Sequence, residues 1–426
     1  MKQAFRQPGF TRLFAGLSTS MFGDAVMLLV LSMWVKEITG SNGAAGLTFF
    51  WMVVPAVFAP VYGMYLDRLR RKPTLVWGNL LSAVAVLPLL LVRGADDVWI
   101  IYTVAFLYGI SFVVLPASLN GLLKEMLPEQ LLVDANSSIQ TVKEGYRLIG
   151  PLLGAGLFAW LGGGAVAVVD AVSFVVAAVI IATIPLAEDR PGRSGEHWWA
   201  EMSGGVRHLV REPLIKHLLV SFGLTILVLG FTEASIYALL DFYDKPVTFA
   251  GVLVSVQGVG AIAGGLTTSL WVRRIGEPAT VAVGLAVLAV SAGAIALTSS
   301  LWVVAVAFLT VGYTLPMLFV AFMTLMQRRT PQRLMGRVSA AVETLLGAPQ
   351  AISIAVGAGL VTLIDFHLIF GIVGAVTAVG AAYLVVALRA VMGHAVPALD
   401  EAAAAPEPSG PLLDPKVDGP GPVLPG

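Results

Sequence analysis

The sequence predicts an all-α membrane protein of twelve transmembrane helices arranged as two six-helix pseudo-repeats, and three observations carry that prediction. The 426 residues are 57% hydrophobic and only 12% charged, with a mean hydropathy of +0.86, whereas soluble domains carry about 25% charged residues. Apolar runs of the ~20 residues needed to cross a bilayer occur twelve times. The halves repeat each other at an interval of about 203 residues, the trace of a duplication.

The runs lie at 13–35, 44–66, 74–93, 98–122, 139–161, 165–185, 214–240, 248–272, 279–298, 301–326, 338–363 and 366–388. Lys2, Arg6 and Arg12 lead into a first run too long for a signal core and without a small-residue cleavage site, so the first helix is expected to be retained. Of the 26 Lys and Arg, 22 fall on the side of both termini, against Lys36, Arg93 and Lys245 on the other side and Arg147 within a run. By the positive-inside rule both termini face the cytoplasm of a cell-membrane protein.

Four regions follow: a bundle over 1–185, a connector over 186–213, a second bundle over 214–390 and a tail over 391–426. Within the connector, Trp198, Trp199, Met202, Val206, Leu209 and Val210 recur at helical spacing beside Arg207, His208 and Arg211. That suits either a helix in the headgroup plane or a loop covering the helix ends. The tail is rich in Ala, Pro and Gly and is expected to be disordered.

In the repeat, VWIIYTVAFL at 98–107 answers LWVVAVAFL at 301–309, LPEQL at 127–131 answers TPQRL at 330–334, and Arg68 with Pro73 answers Arg273 with Pro278. Val272 stands where the second half would need a counterpart of Asp67, and a functional asymmetry is expected from that.

Composition also excludes much. With zero net charge and the charges confined to loops, nothing suggests a nucleic-acid partner. The absence of cysteine excludes disulfides, thiolate metal sites and cysteine nucleophiles. No Walker sequence, GxSxG elbow or His/Cys cluster appears, and five scattered His make no site, so neither enzyme chemistry nor a metal or cofactor is expected. Energy for any transport must come from a gradient.

Between the second and third runs the chain reads GMYLDRLRRK at 63–72. This resembles the G-x-x-x-D-R-x-x-R-[RK] loop of major facilitator transporters, with Gly63, Asp67, Arg68, Arg71 and Lys72 in place as a gating loop. GYRLIGPLLGA at 145–155 resembles the G-x-x-x-G-P-x-x-G-G motif of the exporting, proton-antiporting branch through Gly150, Pro151 and Gly154. Its first spacing is one residue longer and Ala155 replaces the last glycine. Simple close packing of helices also accounts for those small residues.

With FRQPGFTRLFAGLSTSMFGDAV, LPEQLLVDANSSIQTVKEGYRLIGP and MGRVSAAVE, residues 5–390 resemble the macrolide-efflux and enterobactin-exporter group. The resemblance implies a substrate site between the halves, alternating exposure of that site, and export of drugs or siderophores driven by protons. Many proton-coupled relatives carry an arginine in the fourth helix. None stands in 98–122, and Arg147 is the candidate for the missing membrane cation.

An ionisable group at the centre of a membrane helix costs at least ~2.5–3.5 kcal/mol, so each needs a partner, a wet cavity or a role. Asp24, halfway along the first run, is the leading candidate for proton or substrate handling, weighed against a structural hydrogen bond. Glu144 and Arg147, three residues apart on one face, are expected to pair. Asp170, Glu233 and Glu343 complete the set, each weighed against a place close to a membrane interface. Phe50, Met52, Tyr108, Phe112, Phe231, Tyr313 and Met317 are candidates for an adaptable apolar substrate pocket, weighed against core or lipid-facing packing.

The reading is a monomeric secondary transporter that exports amphipathic small molecules in exchange for protons. A lysophospholipid flippase, a facilitator or importer of the same fold, and a non-transporting sensor or assembly factor stay open at this point.

Overall fold

A computed structural model describes residues 4–7, 9–66, 69–186, 206–330 and 335–404. Among the described residues the regular structure is all helical. In chain order the helices are α1 (Phe10–Thr39), α2 (Asn42–Val53), α3 (Ala59–Leu66), α4 (Arg71–Val86), α5 (Val98–Met126), α6 (Glu129–Ala182), α7 (Pro213–Leu229), α8 (Phe231–Phe242), α9 (Phe249–Ile275), α10 (Glu277–Leu297), α11 (Leu301–Arg329), α12 (Met335–Leu360) and α13 (Phe366–Ala404).

Among the described residues nine stretches are long and apolar enough to cross a membrane, and the twelve predicted crossings are reached through one doubled stretch and two shorter helical segments. Ser138–Ala182 holds two crossings divided at Gly162, whose φ of 75° and ψ of 174° are open only to glycine. The second crossing, α2 with α3, is interrupted by a 3₁₀ segment at Val54–Phe58, where Pro55 lacks the amide an α-helix needs. The eleventh is α12 itself.

Local sequence sets the boundaries. Gly40, at φ 67°, ends α1 and returns its amide to the Lys36 carbonyl at 2.8 Å, a left-handed C-cap. Ser41 Oγ then accepts from the Ala44 amide at 3.2 Å and starts α2. The seventh crossing is split at Gly230 into α7 and α8.

At its other end α13 runs on to Ala404, where a disordered tail from 391 was expected; the alanine run at 402–405 favours a helix. Residues 187–205, with Trp198, Trp199 and Met202, lie outside the described residues. Of the connector, 206–211 are helical.

Packing divides the molecule by depth. Arg71, Lys72, Arg273, Arg274, Arg328 and Arg329 mark one end of the bundle, the basic end. At that end each half has its own core. Phe10, Leu13, Leu75, Leu122 and Ile181 pack together in the first half, and Ile215, Phe222, Leu285, Phe322 and Leu384 in the second. At the opposite end a single core draws on both halves, including Leu31, Val35, Ile101 and Phe158 with Tyr237, Leu240, Leu253 and Phe366. The halves are thus joined away from the basic loops.

The outer surface is apolar, with Leu266, Leu297 and Val290 largely exposed, as hydrocarbon around a bundle allows. Trp99, Trp160 and Trp302, at the opposite-end termini of their crossings, are also exposed in the manner of interfacial anchors.

Candidate ion and substrate site

At the middle of the first half three polar side chains from three helices converge. Asp24 is on α1, Tyr108 on α5 and Asp170 on α6 after its kink. Tyr108 lies ten residues into a helix that starts at Val98, about 15 Å deep at 1.5 Å per residue. Its phenol donates to Asp170 Oδ2 at 2.7 Å, and the Asp24 carboxyl lies close enough to the same phenol to interact with it electrostatically.

Asp170 is fully buried and its Oδ1 has no hydrogen-bond partner among the described residues. Asp24 is half-buried, so the cluster has an open side and a closed side. Gly23 permits the approach of α1 to α6, since a methyl group there would collide with Asp170 Oδ1 and Ser173 Oγ. The Tyr108 ring is held by edge contacts with Phe112 at 5.2 Å and Phe174 at 6.0 Å.

Hydrogen counting constrains this arrangement. A phenol has one hydrogen, and with that given to Asp170 its oxygen can only accept. A hydrogen bond from Asp24 to that oxygen therefore requires a proton on Asp24.

Glu233 is half-buried in the first turn of α8, just beyond the break at Gly230. There the positive end of a half-helix favours an acid. Glu144 does not form the expected pair with Arg147. It accepts instead from Gln140 Nε2, one turn earlier, at 2.6 Å, and the Arg147 side chain is exposed. Glu343 lies in α12, and its side chain is outside the described residues.

Pro151 denies the Arg147 carbonyl its helical amide, and α9 covers that place with Gly258, whose missing Cβ would come within 3.6 Å of Arg147 O. Gly150 and Gly154 press on Ala25 and Val26 of α1, while Gly251 of α9 presses on Pro151. The small-residue motif therefore clamps this helix between α1 of its own half and α9 of the other.

Of the gating loop, Asp67 and Arg68 lie outside the described residues, and Gly63 is placed only as part of α3. Arg71 Nη1 donates to the Leu66 carbonyl at 2.9 Å, and the Arg71 side chain runs beside Gly121 of α5. Lys72 Nζ donates to Ile184 O at 2.6 Å and Arg12 Nη1 to Thr183 O at 2.9 Å, two cations on the carbonyl end of α6.

Asp67 lies outside the described residues, so its comparison with Val272 does too; the second half itself carries paired acids. Glu277, five residues on, pairs with Arg328 of α11 at 2.7 Å, and Glu212 pairs with Arg329 at 3.3 Å.

The aromatic candidates separate. Tyr108, Met52 and Met317 are buried; Phe50, Phe231 and Tyr313 are half-buried; Phe112 is exposed. Tyr313 accepts from Thr267 Oγ1 and Trp271 Nε1, both at 2.8 Å, and so ties α11 to α9. Phe231 packs under Gly357 of α12. Of the seven, Tyr108 joins the carboxyl cluster and Phe112 packs on its ring. Among the described residues no group of His, Asp and Glu could hold a metal ion.

Sequence reasoning missed two contacts between the halves: Ser32 Oγ with Tyr237 Oη, and Lys36 Nζ with Asp241 Oδ2 at 2.6 Å. A signal existed. Both pairs are 205 residues apart, the interval that relates Arg68 to Arg273, so each joins positions made equivalent by the duplication.

Comparison with known proteins agrees with this architecture. A family model described as Major Facilitator Superfamily matches residues 13–354 and 246–419. The chain is 24% identical to the multidrug efflux pump Tap of Mycobacterium tuberculosis over 388 residues, 87% of this chain and 91% of Tap. It is 25% identical to macrolide efflux protein A of Streptococcus pyogenes over 202 residues, 46% of this chain and 50% of that protein. Among solved structures, a bacterial homologue of the iron transporter ferroportin in its inward-facing state superposes with a TM-score of 0.68 at 17% identity. That match covers 89% of this chain and 98% of the other.

Proposed function

The chain belongs to the Major Facilitator Superfamily, and we propose that it is a proton-coupled exporter of amphipathic small molecules that works by alternating access. One observation carries the coupling: two carboxyls, Asp24 and Asp170, lie against one phenol at mid-membrane depth, and that phenol gives its hydrogen to Asp170. The half-buried Asp24 exchanges a proton with the space between the halves, and the buried Asp170 with Tyr108 fixes its geometry. A bound proton neutralises Asp24, and its release leaves a charge that a cationic or polar substrate, or water, can meet.

The direction of transport is inferred from the efflux names of the relatives and from the 22-to-3 distribution of Lys and Arg, which puts the basic end and both termini in the cytoplasm. Separate cores at the basic end and a shared core at the other fit a resting state that opens inward. The working units are 1–185 and 214–390, with 186–213 as their tether.

The test is a screen of lipophilic cations and macrolides in proteoliposomes with an imposed pH gradient. Uptake or release that follows the gradient and collapses with a protonophore supports proton-coupled export. Flux indifferent to the gradient rejects proton coupling, and the absence of flux for every compound in a folded, reconstituted protein rejects the export reading.

A further inference from the structure

At the end opposite the basic loops the halves are held by two unlike rungs on the same pair of helices. Ser32 and Lys36 are one turn apart on α1, and Tyr237 and Asp241 one turn apart on α8, so the two contacts stack along a single seam. The inner rung is buried: Ser32 is 0% and Tyr237 1% exposed. Ser32 gives its own hydrogen to the Leu29 carbonyl at 3.0 Å, so in this bond the Tyr237 hydroxyl is the donor. The outer rung, Lys36 with Asp241, sits at the rim, with the Asp241 side chain 51% exposed. Around them Gly46 of α2 lies hard against Ala234 of α8, and Gly43 against the Ala358 carbonyl of α12, so the seam is closed to the backbone.

We propose that these four residues are a two-stage latch that seals the side opposite the basic loops, with the rim ion pair releasing first and the buried hydroxyl pair after it. The order follows from what each group keeps on separation. Lys36 Nζ also donates to the Gly40 carbonyl at 3.0 Å, so it retains a partner when Asp241 leaves, and the exposed Asp241 is taken up by water. Ser32 keeps Leu29. Tyr237 has no second hydrogen-bond partner among the described residues, so it is left unpaired until water enters, and a buried hydroxyl without a partner is costly. The rim can thus open dry, whereas the inner rung opens only as the seam becomes wet. Because the rungs join duplicated positions, both lie where rocking about the pseudo-twofold axis parts the halves, the rim ahead of the inner rung. The latch rests on the alternating-access part of the function proposed above and is independent of the coupling ion.

The experiment uses the full chain, which has no native cysteine. Ser32→Cys places a near-isosteric thiol in the seam, and a membrane-impermeant maleimide added outside intact cells reports its exposure. Adding Asp241→Asn or Lys36→Asp should raise labelling about fivefold, the worth of a partly exposed ion pair. The exchange Lys36→Asp with Asp241→Lys should return it towards the parent rate. Unchanged labelling in both single variants, or labelling that stays high in a monodisperse exchanged protein, overturns the latch. Labelling needs neither substrate nor proton gradient, so its failure and the failure of proton-coupled export are read separately.

Discussion

Tyr108 donates its only hydrogen to Asp170 across 2.7 Å, which leaves its oxygen as an acceptor facing Asp24. Carboxyls on two helices, separated by 146 positions in sequence, thereby depend on one hydroxyl from a third.

Tyr108→Phe removes that hydroxyl and leaves Asp170 with neither oxygen satisfied. The expected outcome is a loss of about 1–3 kcal/mol of stability, the cost of an unsatisfied buried group, seen as a lower melting temperature in detergent. Tyr108→Phe with Asp170→Asn should regain less than the full loss, because the amide also needs partners. Coupled flux should fall in both variants.

Asp24→Asn should abolish concentrative export while sparing downhill exchange of substrate, since rocking itself needs no titration at this position. Asp24→Glu should keep partial activity with a displaced pH profile. Substrate accumulation driven by a pH gradient in a folded Asp24→Asn protein would remove Asp24 from the coupling role and turn attention to Glu233.

Gly23→Ala tests whether the close approach of α1 to α6 is required. The added methyl meets Asp170 Oδ1 and Ser173 Oγ, and overpacking of this kind costs about 1–3 kcal/mol. Thermal denaturation should show that loss, whereas Gly145→Ala, which faces open space, should be tolerated or slightly stabilising within a helix.

Cysteines introduced singly at Ser194 and Asp244 test the orientation. An impermeant reagent outside intact cells should reach Asp244→Cys and spare Ser194→Cys; the reverse pattern would invert the molecule and place the latch on the cytoplasmic side.

Much of this was legible because the bilayer is a strict solvent. It demands about 20 apolar residues per crossing and satisfied backbone amides throughout, so span number, the duplication and the basic end could be read directly from residue type. Asp24 and Asp170 could be singled out for the same reason, as charges where charge is expensive. That they share Tyr108 could not be read, because the three residues lie on helices whose rotation and neighbours are set by packing. The predicted pair of Glu144 and Arg147 failed on the same ground: spacing allows two residues to meet, but Gln140 on the same face offered Glu144 a nearer partner.

Sequence alone therefore determined the class of protein, the order and depth of its crossings, its family and the residues too costly to be idle, since each follows from local chemistry against a fixed solvent. Tertiary structure alone decided which of those residues meet, that Glu277 pairs with Arg328, and that Ser32 and Lys36 face Tyr237 and Asp241. Those facts depend on how glycine-lined helices seat against one another, a property of surfaces in three dimensions rather than of any segment of chain.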